Sequence, residues 1–135
     1  MEYLSTFPST PLIEAAAKVG IRSIVCRQER VGVGIADGYA RVTNGRPPGV
    51  FAMQYGPGAE NAFAGVATAF SDGVPMLLLP MGQPRERDGR FPHFNSVRTY
   101  ASVTRYVEQI RSAEGVVETM RRAFARLRMG RPGPV

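Results

Sequence analysis

The sequence predicts an α/β fold, a parallel sheet with helices on both faces. Two observations carry this. Short apolar runs alternate with helical stretches through most of the 135 residues, in the order strand, helix, strand, helix, strand. At this spacing consecutive strands are joined by right-handed crossovers, which makes the sheet parallel. The fourth run, "VPMLLLPM", is apolar throughout, as a strand covered on both faces should be.

The elements follow in order. "EYLSTF" reads as a first strand and "PLIEAAAKVG" as a helix, with Pro11 near its start and Gly20 as its stop. Leu12, Ala15, Ala16 and Val19 are its apolar face by helical spacing. "RSIVCR" reads as a short buried strand. A helix runs from about Glu29 to Thr43, closed by Asn44-Gly45. "GVFAMQY" is the next strand. In the helix that follows, Phe63, Val66, Ala67 and Phe70 make one stripe. After the fourth apolar run, Gly82 to about Asn95 turns polar and holds two prolines, as a loop does. "RYVEQI" predicts a further strand. "SAEGVVETMRRAFARLRMG" predicts a last helix with Val116, Met120, Ala123, Phe124 and Leu127 inward and its arginines on a solvated face.

Composition bounds the function. Apolar residues make up 44% and charged residues 21%, as in one ordinary globular domain. No run of 18 apolar residues occurs, and the N-terminus lacks the pattern of a secretory signal. Cys26 stands alone, so no internal disulfide forms, which suits a cytoplasmic setting. The net charge of +6 raises the question of nucleic acid. The arginines are scattered, however, with no compact lysine-rich tract, and neither nucleic acid nor a membrane is expected as a partner. One histidine, His93, and one cysteine make no zinc site.

Parallel α/β sheets bind ligands at the carboxyl ends of their strands. Three segments fall there: Arg27-Gln28-Glu29, Tyr55-Gly56-Pro57-Gly58 and Met81-Gly82-Gln83. Glu29 would begin a helix, where an acid also suits the helix dipole. Gly-Pro-Gly before a helix is either a phosphate-type cradle or a tight turn with proline near the first helical position. The helix after Glu29 is unusual in carrying Gly32, Gly34 and Gly38, each costing about 1 kcal/mol relative to alanine. Close approach to something must require them.

Taken together, "RQERVGVGIADGYAR", "PPGVFAMQYGPGAENAFAGVATAFSDGVPMLLL", "GQ" and "GRPGPV" resemble the N-terminal pyrimidine-binding domain of thiamine diphosphate-dependent enzymes of the acetolactate synthase type. The resemblance runs along nearly the whole chain. It implies that Glu29 occupies the position of the glutamate that hydrogen-bonds N1′ of the cofactor's aminopyrimidine. That bond promotes the imino tautomer, whose nitrogen takes the proton from thiazolium C2. The demand on Glu29 is a carboxyl that holds and shares a proton in a dry site. The resemblance further implies that Gly56, Pro57 and Gly58 line the pyrimidine, that Asn61 helps fix the turn, and that Gln28, Gln83 and Phe94 face the substrate, a 2-oxo acid. Asn95 falls beside Phe94. Gln28 stands where the family often has histidine, and the loop "PRERDGRFPHFNS" also departs from the pattern; both bear on which substrate is used.

The resemblance places Mg²⁺ and the diphosphate on a separate domain with a Gly-Asp-Gly motif, which this sequence lacks. A flavin in a middle domain is compatible with it, and a homodimer or homotetramer with the cofactor between subunits is implied. Residues 1–135 therefore read as one partial pyrimidine-binding domain, incomplete at both ends, from a larger enzyme or one subunit of a split one. On its own such a chain is expected to be inactive. The alternative is a non-catalytic assembly or interaction module with the same fold.

Overall fold

The computed structural model describes residues 1–91 and 93–135. The elements are β1 (Tyr3–Thr6), α1 (Thr10–Lys18), β2 (Arg22–Val25), α2 (Glu29–Val42), β3 (Gly49–Met53), α3 (Pro57–Asp72), β4 (Met76–Pro80), a 3₁₀ turn at Arg85–Arg87, α4 (Ser96–Tyr100) and α5 (Val116–Arg128). The four strands form one sheet in the order β2-β1-β3-β4, and every pair is parallel.

Strand alternation sorts the core into two layers. Phe51 and Met53 of β3, with Met76 and Leu78 of β4, pack beneath α2 and α3, against Val33, Ala36, Ala62 and Val66. Val50, Ala52, Leu77 and Leu79 point the other way, toward Leu12 and Ala16 of α1 and Ala123 and Leu127 of α5. The helices therefore cover both faces, as the sequence predicts. Helix α2 also sits very close to the sheet. A Cβ on Gly49 of β3 would stand 2.0 Å from the Ala36 carbonyl oxygen, and α2 is as close to α3, where a Cβ on Gly65 would stand 2.4 Å from Val33 Cγ1.

Several expectations need correction. "RSIVCR" is not a buried strand. Its ordered part, β2, is a sheet edge, and Val25 is 57% exposed. Segment 105–110 is not a strand. It runs as irregular chain, and Arg105 N–H donates to the Pro134 carbonyl. The free side of β4 is instead met by Val135, whose N–H donates to Met76 O and whose carbonyl accepts from Leu78 N–H, each at 2.8 Å. This is the parallel pattern.

The helix faces also shift. On α1, Ala16 is buried while Ala15 and Val19 lie exposed. On α3 the buried stripe is Ala59, Ala62, Val66 and Ala69, whereas Phe70 is exposed. Close packing against α2 selects small side chains, and the larger Phe63 moves to the margin, edge-on to Tyr100. Helix α5 starts at Val116 rather than near Ser112 and buries Thr119 in place of Val116. Helix α4 falls in a stretch given no element from sequence. Within the predicted loop, Pro92 lies outside the described residues. Among those described, no helix is long and apolar enough to cross a membrane.

Candidate functional site

The order of strands locates the site. From β1 the chain passes through α1 to β2 on one side, then returns over the other face through α2 to β3 on the far side. The direction reverses between β1 and β3, and such a reversal opens a crevice beyond the carboxyl ends of those strands. The loops there are tied together: Gln54 Nε2 donates to the Pro8 carbonyl at 2.8 Å.

Glu29 is the first residue of α2, and its side chain is turned in, with the residue only 8% exposed. Gln28 before it is extended and exposed, and its side chain makes no capping bond. Helix α3 begins at Pro57, and Gly56 caps it with φ +59°, a conformation that glycine adopts without the strain other residues incur. Pro57 is exposed, while Gly56 and Gly58 are buried. Gly58 faces Glu29: a Cβ there would come within 3.1 Å of Glu29 Oε1. Asn61, three residues further along α3 and so on the same face, donates from Nδ2 to Glu29 Oε2 at 2.7 Å. Its Oδ1 accepts from Arg30 Nε at 3.0 Å. Asn61 thus serves Glu29 rather than the turn. Arg30 escaped the sequence reading, since nothing local marks an arginine for a partner 31 residues away.

Glu29, Gly58 and Asn61 are therefore brought together, although β1 lies between the strands that deliver them. Gln83 and Phe94 take no part in that hydrogen-bonded cluster. Both are half-buried and line a cavity of about 580 Å³ beside β4, with Tyr55, Tyr100, Glu108 and Val135. Asn95 lines it too, though its side-chain oxygen caps α4 by accepting from Arg98 N–H. Among the described residues no group of three His, Cys, Asp or Glu side chains is placed to hold a metal ion.

Near the Glu29 cluster, the Cys26 thiol donates to the Thr6 carbonyl, and burial pushes it above its ordinary value. It is inert there. Tyr100 is buried against Met53, and its hydroxyl donates to the Ala59 carbonyl at 2.7 Å. Burial pushes that phenol well up, so it stays a neutral donor.

These features define an α/β domain with a buried carboxyl at the switch point of a parallel sheet. Residues 4–109 match the family described as thiamine pyrophosphate enzyme, N-terminal TPP binding domain, and the chain belongs to that family. Its relatives include the acetolactate synthase large subunit of Haemophilus influenzae, 32% identical across all of this chain and 24% of the relative. Acetolactate synthase 2, chloroplastic, of Nicotiana tabacum is 38% identical over 85% of this chain and 17% of its own length. The large subunit from Lactococcus lactis is 36% identical over 86% and 20%. The chain spans a quarter or less of the length of these relatives.

Proposed function

We propose that this chain binds the aminopyrimidine of thiamine diphosphate. In the complete protein it would form the N-terminal part of an acetolactate synthase-like carboligase or decarboxylase acting on a 2-oxo acid. The observation that carries the reading is the buried Glu29 carboxyl, with one oxygen taken by Asn61 and the other turned toward Gly58. A ring nitrogen that reached Oε1 would find it without a hydrogen-bond partner among the described residues. Gly56 and Gly58 add no side chain of their own there, and they are proposed with Pro57 to line the ring.

When bound, the cofactor supplies a carbon nucleophile at its thiazolium C2, and the protein supplies orientation and electrostatics. The part of Glu29 is to share a proton with the ring nitrogen. Gln28, Gln83 and Phe94 are assigned to the substrate side. Mg²⁺ requires several oxygen ligands, and it is assigned with the diphosphate to another domain of the complete protein. Gly34 and Gly38, whose outward faces meet nothing within 4 Å, and the exposed Val31 offer α2 to a second copy in a homodimer or homotetramer.

The test is Glu29→Gln in the complete protein. The fold should survive, and C2 proton exchange of the bound cofactor should slow about 10²–10⁴-fold, as loss of an acid-base group does. Unchanged exchange would reject the role and favour a non-catalytic assembly module.

A further inference from the structure

We propose that Arg30 and Asn61 form a positioning relay that fixes which oxygen of Glu29 carries its exchangeable proton. The inference rests on the cofactor reading above and adds two positioning residues to it. Arg30 Nε donates to Asn61 Oδ1 at 3.0 Å, and Asn61 Nδ2 donates to Glu29 Oε2 at 2.7 Å. An amide has a donor end and an acceptor end. Reversed, its oxygen would face the carboxylate and its NH₂ the guanidinium, so two repulsive contacts would replace two charge-assisted bonds. Guanidinium has no acceptor and does not deprotonate, so Arg30 permits a single orientation of the amide.

The consequence falls on Glu29. Its Oε2 receives an N–H, and a proton placed on that same oxygen would confront the donor. The proton therefore belongs on Oε1. That oxygen lies on the Gly58 side, 3.1 Å from where a Cβ would stand. Gly58 and Asn61 share one face of α3, so a single helix supplies both the anchor for one oxygen and, at Gly58, a close neighbour of the other that carries no side chain. Arg30 lies in solvent and touches neither the carboxyl nor the space in front of it. Its hydrogen bond reaches Glu29 only through the amide.

Isotope-edited infrared spectroscopy of the cofactor-free protein tests the relay, with the Glu29 carboxylate band assigned from Glu29→Gln. Asn61→Ala should shift the band, and Arg30→Met should shift it less and in the same direction. The double variant should fall close to Asn61→Ala, because Arg30 is bonded to Asn61 and its only other route to Glu29 is a solvent-screened charge. Arg30→Lys keeps the charge without the planar fork and should recover only part of the wild-type band position. In the complete protein with thiamine diphosphate bound, Asn61→Ala should slow C2 proton exchange by about 10- to 100-fold, the factor that one hydrogen bond to a charged group commands. Arg30→Met should slow it less, and the double variant no more than Asn61→Ala. Since Arg30 is exposed, its variants test the relay even where Asn61→Ala folds poorly. Additive effects, or a Glu29 band that ignores Asn61→Ala, overturn the relay while leaving the cofactor reading intact. Exchange that ignores Glu29→Gln, with the infrared coupling present, refutes the cofactor reading and the proton assignment with it.

Discussion

Gly32 on α2 lies directly over Phe51 on β3. A Cβ at position 32 would stand 2.3 Å from ring atom Cε2 and 2.7 Å from Cys26 Sγ. The Gly32 carbonyl also accepts from Ser5 Oγ at 2.7 Å, which ties the helix to β1. Phe51 is fully buried and has nowhere to go. One of the three glycines of α2 is therefore explained inside this chain. The other two are not, because a Cβ on Gly34 or Gly38 meets nothing within 4 Å.

Alanine substitutions at the three positions should accordingly differ in sign. Helix propensity favours alanine over glycine by about 1 kcal/mol at each. At position 32 overpacking opposes it, typically costing about 1–3 kcal/mol, and more where the contact is this short. Gly32→Ala should lower the urea midpoint of the chain, while Gly34→Ala and Gly38→Ala should raise it. If the proposed second copy packs on that face, the latter two should also weaken self-association, which sedimentation would read. Three midpoints moving together would contradict the close approach of α2 to the sheet.

Gly58→Ala should separate stability from chemistry. The new methyl group would sit 3.1 Å from Glu29 Oε1 and 3.2 Å from Gln54 Cβ, tight contacts that a side chain relieves by shifting a few tenths of an ångström. The gain in helix propensity offsets much of that cost, so unfolding free energy should change by no more than about 1 kcal/mol. The carboxyl that yields is the one proposed to share the proton. In the complete protein, C2 exchange should slow by a factor well beyond any change in folded fraction. Exchange at the wild-type rate would show that Oε1 does not face the ring.

How much of this was legible in the sequence depended on the range of the contact. The alternation of strands and helices is local, so the parallel sheet and its two covered faces could be read, as could the placement of Glu29 and Gly56–Gly58 at strand ends. Edge position is not local. Nothing in "RSIVCR" says that β2 has a neighbour on one side only. "RYVEQI" has strand-like composition, yet 105–110 takes its contacts from α5 and the Pro134 carbonyl rather than from the sheet. Helix α4 is five residues long, too short for a periodic signal. Its Tyr100 is fixed by an acceptor on α3, 41 residues away. The same limit hid Arg30: an exposed arginine beside a helix start looks like a solvated charge until Asn61 is seen beside it.

Glu108 should give the fold an acid-sensitive tie between segment 105–110 and α5. Its carboxylate accepts from Arg122 Nε at 2.9 Å, from the Tyr106 hydroxyl, and from Thr119 Oγ1 at 3.3 Å. The Arg122 bonds first, and then that of Tyr106, lower its pKa from 4.5 to about 2. The folded value is depressed, so the stabilisation is fully present above the unfolded value of 4.5 and is lost as pH falls through about 2. The group is partly exposed, so solvent screening keeps the effect modest. Arg122→Gln removes the leading cause. The variant should be less stable than the parent at pH 7, and the gap should narrow between pH 4.5 and 2 as the parent's carboxylate takes up its proton. Urea midpoints measured across that range would show it. A gap that stayed constant down to pH 2 would mean that Arg122 supports α5 by packing and not through Glu108.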